Sequence, residues 1–498
     1  MRSAIIVLVL AGPLGAATPC ESLTKLALPN VAITMAQAVP AGQLTLPAGA
    51  VPRFPGAPPL DFSKLPAFCR VAATLKPTRD SDIHIEVWMP MSGWNWNLES
   101  VGNGAWAGSI SYRDLATAVM GGYAAASTDT GHTETTAAFA LGHPEKLIDF
   151  AYRAVHEMTL AAKDITVAFY GNGPVRSYFN GCSTGGRQAL AEAQRYPLDY
   201  DGIVAGAAAN YPSHLQGAQV WTTKITHLDD GYIPPAKYPV IHDAVLAACD
   251  ALDGVKDRVL EDPRRCHFDP ETIVCKGSDA SECLTPAQVE VARKIYAGPG
   301  GSLFPGLERG SELGWATLSG PKPMALAAET YADLVFKNPK WNYLTFDAKR
   351  DMAIADKVIG PTMNSIDPNL KPFFEHGGKL LMYHGWADPG IAPQNSVNYF
   401  TSVEDAVGGK EAAANSIRLF MVPGMGHCAG GDGTDDFDKI GTLATWVEMN
   451  QPPERILAAH KTKGVVDRTR PLCPYPETAH YKGSGSTNDA ANFVCAAP

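Results

Sequence analysis

Positive charge is scarce in this chain. Lys and Arg total 41 against 51 Asp and Glu, a formal net charge of −10 over 498 residues. That balance argues against nucleic acid and anionic membrane surfaces as partners, because both select basic patches. Long apolar runs are missing too. Ile5 to Leu10 is too short to span a bilayer, and no later stretch is long and apolar enough. Behind the basic start Met1-Arg2, and ahead of the small residues Gly15-Ala16-Ala17, that run makes residues 1–17 read as a secretory signal peptide rather than a buried N-terminal strand. The expected location is therefore secreted or periplasmic. There is no C-x-x-C pair or Cys/His cluster at ligand spacing, which argues against zinc. No EF-hand spacing, internal repeat or low-complexity tract occurs.

What is plentiful is Gly (47), Pro (39) and, for a secreted chain, Cys (10). An even cysteine count behind a signal peptide suggests five disulfides formed in an oxidising compartment. Counting leaves their connectivity open, although Cys249/Cys266, Cys275/Cys283 and Cys473/Cys495 are natural local pairs.

The chain's rhythm is strand, helix, strand, helix over two stretches. Ile83-His-Ile-Glu-Val-Trp-Met reads as a strand by alternation, and Gly122 to Thr128 as another. Residues 147–169 carry apolar positions at helical spacing. Ser177 to Asn180 is a short strand, Thr184 to Arg195 a helix ended by Pro197, and Asp201 to Ala205 the next strand. The rhythm breaks from about 210 to 374 and resumes at Lys379 to His384, with a helix near 394–406, a strand over Ile417 to Val422 and a last helix over roughly 436–450. This pattern predicts an α/β fold with a mostly parallel sheet covered on both faces. The catalytic domain is expected over 18–209 and 375–498, with a lid domain inserted at 210–374. The C-terminal tail reads as loop-rich.

Two segments carry the chemistry. Asn180-Gly181-Cys182-Ser183-Thr184-Gly185-Gly186 contains G-x-S-x-G between a strand and a helix, the turn that presents a nucleophilic serine. Gly424-Met425-Gly426-His427-Cys428 carries a histidine past a later strand, and Asp388 in Tyr383-His384-Gly385-Trp386-Ala387-Asp388-Pro389 lies between them in the chain. Seryl attack needs an imidazole to take the hydroxyl proton and a carboxylate to fix its tautomer. The order Ser183, Asp388, His427 is the one used on the α/β-hydrolase sheet. His384 is expected to pack or hydrogen-bond beneath the site, and His132 and His143 to be structural. For the oxyanion hole, one donor is the N–H of Thr184; the second is expected from the loop Gly102-Asn103-Gly104, with Gly104 the chosen residue. A cysteine flanks both Ser183 and His427, so a Cys182–Cys428 disulfide would tie nucleophile to base.

Taken together, these three motifs resemble the tannase and feruloyl esterase family. The resemblance covers the chain from about residue 20 to its end. It implies an α/β-hydrolase fold, and it implies the lid between serine and aspartate. It also implies the disulfides Cys20–Cys69, Cys182–Cys428, Cys249–Cys266, Cys275–Cys283 and Cys473–Cys495. Gly102-Asn-Gly-Ala-Trp106 resembles the family's glycine-rich oxyanion loop, with alanine at 105 where another glycine is common.

A second constellation, Asp250-Ala-Leu-Asp253-Gly254-Val255-Lys-Asp257-Arg-Val259, gathers three carboxylates around a turn. On its own this reads as a solvated acidic turn. The resemblance implies a structural Ca2+ in the lid, with side chains from Asp250, Asp253 and Asp257 and carbonyls from Val255 and Val259, consistent with calcium's preference for six to eight hard oxygens. Arg258 stands where glycine would be expected.

The resulting expectation is a carboxylic ester hydrolase without organic cofactor, acting on small aromatic or plant-polymer-derived esters. Feruloyl or other hydroxycinnamoyl esters come first, galloyl esters second and terephthalate monoesters third. A catalytically silent hydrolase fold used for binding is the alternative from another class. Trp341, Tyr343 and Phe346 are candidate lid contacts to the substrate.

Overall fold

The computed structural model describes residues 18–46 and 61–498. The segment read as a signal peptide lies outside the described residues. Among the described residues, no helix is long and apolar enough to cross a membrane.

A nine-stranded sheet organises the chain. Its strands are β1 (Val31–Val39), β2 (Phe68–Leu75), β3 (Ile83–Pro90), β4 (Asn97–Val101), β5 (Ala124–Thr128), β6 (Arg176–Cys182), β7 (Gly202–Gly206), β8 (Lys379–Gly385) and β9 (Ile417–Val422). The spatial order is β1-β2-β3-β5-β4-β6-β7-β8-β9. β1, β2, β3 and β5 pair antiparallel, and every pairing from β5/β4 to β8/β9 is parallel. The α/β architecture is thus a mostly parallel sheet with an antiparallel edge.

Side chains alternate between two cores because strand residues point to opposite faces in turn. Leu380 and Met382 of β8, with Ile417 and Leu419 of β9, join a cluster completed by the helices Ala154–Tyr170, Thr184–Arg195 and Gln394–Val407. Leu381, Tyr383, Phe420 and Val422 face the other way, against Leu443 and Trp446 of the helix Lys439–Met449. Strands buried on both faces explain the near-continuous apolar runs in β8 and β9.

Between β7 and β8 the chain adds helices and no strand to this sheet. Pro212–Thr226, Tyr238–Cys249, Pro286–Ala297 and Ala348–Val358 surround a separate apolar core containing Leu215, Ile241, Trp315, Tyr331 and Phe346. Trp106, after β4, and Phe139, after β5, belong to the same core, so this insertion is packed onto loops that leave the sheet.

The tail differs from the loop-rich expectation. Ile456–Thr462 and Val465–Leu472 form a hairpin closed by Lys463 and Gly464 at φ 51° and 82°, and Thr478–Tyr481 pairs with Phe493–Ala496. Two left-handed residues are what a type I′ turn requires. The hairpin was hidden because its outer positions are charged or exposed, as at Lys461, Val465 and Asp467, so no apolar alternation marks it. The last helix starts at Lys439 rather than 436, because the Asp438 side chain caps it by accepting from Gly441 N, while Asp436–Phe437 pairs with Ile456–Thr462.

At the β6-to-helix turn, glycine is required by close approach. A Cβ on Gly181 would lie 2.4 Å from the Gly185 carbonyl oxygen, and one on Gly186 would lie 2.3 Å from that of Gly206. Gly186→Ala should therefore destabilise the fold by about 2–3 kcal/mol or more. Gly277→Ala, whose Cβ meets nothing within 4 Å, should leave the thermal midpoint unchanged. Equal melts for the two variants would contradict this account of the turn.

Candidate active site

Ser183 sits at the carboxyl end of β6, where the chain reverses into the helix Thr184–Arg195. Its φ of 65° and ψ of −121° are unusual for a residue with a Cβ, and such strain persists only where the surroundings enforce it. The surroundings here are backbone hydrogen bonds: Ser183 N donates to Gly206 O at 3.0 Å, and Ser183 O accepts from Ala209 N and Arg187 N, each at 3.0 Å.

The loop after β4 is clamped onto this turn. Gly185 N donates to Asn103 O at 2.7 Å, and Asn103 N donates to Gln188 Oε1 at 3.0 Å. The buried Asn103 amide donates to Ser109 O and Thr128 O and accepts from Gln188 Nε2. The Thr184 hydroxyl donates to Ala105 O at 2.8 Å. Ala105 takes a φ of 48°, the left-handed region that favours glycine. Neither Thr184 N–H nor Gly104 N–H donates to a protein acceptor among the described residues. The pairing of Asn103 with Gln188 that sets this loop is not marked in the sequence, because 85 residues separate the two and each is an ordinary polar residue in its own segment.

Asp388 lies three residues past β8 and is fully buried. Its Oδ1 accepts from Gly390 N at 2.8 Å and Ile391 N at 2.9 Å. Its Oδ2 faces His427 Nδ1 at 2.6 Å and His384 Nε2 at 3.0 Å. Burial pushes the carboxyl up, but the charge and hydrogen bonds of His427 and the bond from His384 outweigh it and hold Asp388 well below the usual carboxylate range. His384 Nε2 also faces Ile391 O at 3.2 Å. Both neighbours of that nitrogen are acceptors, so it carries the proton, and Nδ1 then accepts from the Ser396 hydroxyl at 2.8 Å. His384 is thus a buried prop beneath Asp388.

His427 keeps a partly exposed ring, with Nδ1 turned to Asp388. Burial lowers its pKa, but the adjacent Asp388 charge and hydrogen bond raise it above the ordinary histidine value. The His427 loop is folded back on itself by Gly426 N to Gly430 O (2.8 Å) and Gly433 N to Gly424 O (3.2 Å), and Ala387 N donates to Met425 O at 2.9 Å. The Asp388 loop and the His427 loop therefore share a backbone bond as well as the His427–Asp388 contact.

All ten cysteines are paired: Cys20–Cys69, Cys182–Cys428, Cys249–Cys266, Cys275–Cys283 and Cys473–Cys495. Cys182 and Cys428 have Cα atoms 6.0 Å apart, so one trans-peptide step at each end keeps the Cα atoms of Ser183 and His427 within about 14 Å of each other. A cavity of about 290 Å³ borders His427, with walls that include Leu246, Leu260, Leu313, Trp386 and Pro389. Trp341 and Phe346 do not reach it; they pack against Tyr331 inside the inserted core, with Tyr343 beside them. His132 is buried and stacks on Phe139, and His143 pairs with Asp80 at the surface.

The acidic turn has a defined structure. Asp250 Oδ1 accepts from Asp257 N and Arg258 N, and Asp253 Oδ1 accepts from Val255 N. Val255 and Val259 are buried, and their carbonyl oxygens accept no hydrogen bond among the described residues. Burial and the neighbouring Asp257 and Asp250 charges push Asp253 up to about 6. Unpaired carbonyls beside mutually repelling carboxyls are the donor set a hard cation suits. Arg470 already pairs with Asp257 Oδ2, and Arg258 takes the left-handed φ of 68° that explains why glycine is at home there.

The parallel sheet, the strained strand-to-helix serine turn and the loops past β8 and β9 define a hydrolase of the α/β type. The family model described as tannase and feruloyl esterase matches residues 69–496. An uncharacterized esterase of Xanthomonas campestris pv. campestris is 37% identical, with 96% of this chain and 91% of that protein covered. A probable feruloyl esterase B-2 of Aspergillus terreus is 35% identical, covering 96% and 94%. Among solved structures, feruloyl esterase B from Aspergillus oryzae superposes with a TM-score of 0.89 at 31% identity, covering 96% of this chain and 99% of that one. Tannin acyl hydrolase from Aspergillus niger shares the fold, with a TM-score of 0.77 at 24% identity over 97% and 94% of the two chains. The chain belongs to the tannase and feruloyl esterase family, and it is a carboxylic ester hydrolase.

Because Asp388 is what raises His427, Asp388→Asn should bring the imidazole pKa below its wild-type value, leaving burial to dominate. Histidine NMR titration measures this directly. An unchanged His427 pKa in a folded variant would mean that the contact is not electrostatically coupled.

Proposed function

We propose that this chain is a secreted serine esterase for aromatic carboxylic esters, with feruloyl and other hydroxycinnamoyl esters as the first substrate class. The observation that carries the reading is the His427–Asp388 hydrogen bond of 2.6 Å on a loop tied by disulfide to the neighbour of a strained Ser183. In this reading Ser183 Oγ attacks the ester carbonyl while its proton passes to His427 Nε2. Asp388 accepts from Nδ1–H, holding the tautomer and stabilising the imidazolium. The N–H groups of Thr184 and Gly104 donate to the oxyanion. The intermediate collapses, the alcohol leaves with the proton from His427, and an acyl-enzyme remains. Water, deprotonated by His427, then attacks the acyl carbon and releases the acid and Ser183.

Residues 210–374 act as the lid. The apolar walls beside His427 suit an aromatic ring on the His427 side of the ester, since Ser183 and Thr184 do not line that cavity; its polar residues Ser311, Arg258 and Arg309 already bond Glu308 O, Asp243 and Phe268 O. The relatives named feruloyl esterase, at 35% and 31% identity against 24% for the tannin acyl hydrolase, favour a feruloyl ester over a galloyl one. Five disulfides support an oxidising compartment, secreted or periplasmic.

The acidic turn fits a structural Ca2+, with Asp250, Asp253 and Asp257 and the carbonyls of Val255 and Val259 as its holders. Bound there, the ion would neutralise the carboxylate repulsion and brace the insertion against the Cys249–Cys266 bridge.

Ser183→Ala should abolish hydrolysis and labelling by a fluorophosphonate while leaving the melt intact; residual adduct formation would place the nucleophile elsewhere. In a panel of methyl ferulate, methyl gallate and mono(hydroxyethyl) terephthalate, the highest kcat/KM is expected for the ferulate, and a gallate or terephthalate preference would reassign the substrate. EDTA should lower the thermal midpoint and added Ca2+ restore it. A melt indifferent to both counts against the ion.

A further inference from the structure

His242, on the inserted helix Tyr238–Cys249, is 3% exposed and joins the insertion to the loop that carries His427. Its Nδ1 lies 2.9 Å from Glu312 Oε2 and its Nε2 lies 3.1 Å from Asp432 Oδ2. Glu312 is fully buried, and its other oxygen accepts from the Tyr296 hydroxyl at 2.7 Å and from Gly310 N at 2.8 Å. Every group on Glu312 other than His242 is a donor, so Glu312 is filled as a carboxylate. With an acceptor on each side, both ring nitrogens of His242 carry protons and the ring is an imidazolium.

Asp432 belongs to the folded-back segment that holds His427. Its neighbour Gly431 pairs with Met425 in an isolated bridge, and Gly433 N donates to Gly424 O at 3.2 Å. Asp432 O in turn accepts from Arg468 Nη1 at 3.2 Å. His242, His427 and Asp432 border the same cavity. The opposite end of the loop is fixed by Cys428 through its disulfide. The loop is therefore held at two points, covalently at Cys428 and by charge at Asp432.

We propose that protonated His242 is a positioning residue for the reaction: its ion pair with Asp432 sets the His427 loop against the insertion, so that catalysis requires the His242 proton. This rests on the reading of Ser183 and His427 given above. Loss of that proton leaves His242 unable to donate to both carboxylates, and the insertion and the loop lose their charged link. Glu312 and Asp432 face His242 as anions; Arg258 and Arg309 line the same cavity, Arg258 and Arg468 act on Asp432 as cations, and the Tyr296 hydroxyl donates to Glu312. Burial lowers the His242 pKa, but the two carboxylates outweigh it and push it up to about 9.

The sign follows. His427 must be neutral to accept the seryl proton, so activity rises with pH through its pKa. His242 must be charged, so activity falls again as pH passes about 9. The test is the pH profile of kcat for the whole chain, wild type against Asp432→Asn and His242→Gln, with thermal melts at each pH. Asp432 is the partly exposed end of the link, so its variant keeps the buried Glu312–His242 pair and should fold. Expected for Asp432→Asn is a kcat about tenfold lower with KM changed less than twofold, and no alkaline limb, because the charged link whose loss produces that limb is already absent. His242→Gln should lose the limb altogether. If folded Asp432→Asn shows the wild-type kcat and the wild-type alkaline limb, the inference is wrong. Fluorophosphonate labelling of Ser183 in the same samples separates the two claims: absence of labelling in the wild type overturns the serine-esterase reading, whereas labelling with unaltered profiles overturns only the role of His242.

Discussion

The bond between Cys182 and Cys428 joins the end of β6 to the loop after β9, two strands separated in the sheet by β7 and β8. It spans 246 residues of sequence, and constraining so long a loop removes about 5 kcal/mol of chain entropy from the unfolded state in the loop-closure account. Its more specific consequence is local. One of its cysteines precedes the strained serine and the other follows the histidine, so the two loops are covalently registered. The insertion enters between β7 and β8, between the loops of the two strands that the disulfide joins.

Asp388 is the complementary constraint. It accepts from four donors, two backbone N–H groups and two histidines, in a fully buried position. A buried carboxylate is stable only when so satisfied. The same arrangement separates two histidines by role. His384, with no exposure and a proton fixed on Nε2, is a structural donor, whereas His427 keeps its ring partly open. The two histidines lower the Asp388 carboxyl and Asp388 raises the His427 imidazole, so Asp388 stays charged across the range in which His427 titrates.

Much of this was legible in the sequence, for identifiable reasons. Gly181-x-Ser183-x-Gly185 is bounded by a β-type run and a helical one, and backbone crowding at Gly181 and Gly186 is what obliges glycine there. Apolar runs at 379–384 and 417–422 signal strands buried on both faces, and loops just past such strands are where Asp388 and His427 stand. Less legible were features made by pairing across long distance. Asn103 with Gln188, and His242 with Asp432, leave no local pattern, since each partner is an ordinary polar residue in its own segment. The C-terminal hairpin carries charged residues on its outer positions, so periodicity missed it. The aromatic residues Trp341, Tyr343 and Phe346 suggested a substrate wall but fill the insertion's own core, where large rings bury most area.

The central claim is that the covalent link positions Ser183 against His427. The direct measurement is the pre-steady-state rate of acyl-enzyme formation in the double variant Cys182→Ala/Cys428→Ala, compared with the wild type under conditions where both are folded. The account predicts acylation slowed by about 10²-fold, as expected for displacement of a reacting pair by an ångström or so, with the His427–Asp388 coupling retained. An acylation rate equal to that of the wild type would contradict it and reduce the disulfide to a stabilising staple.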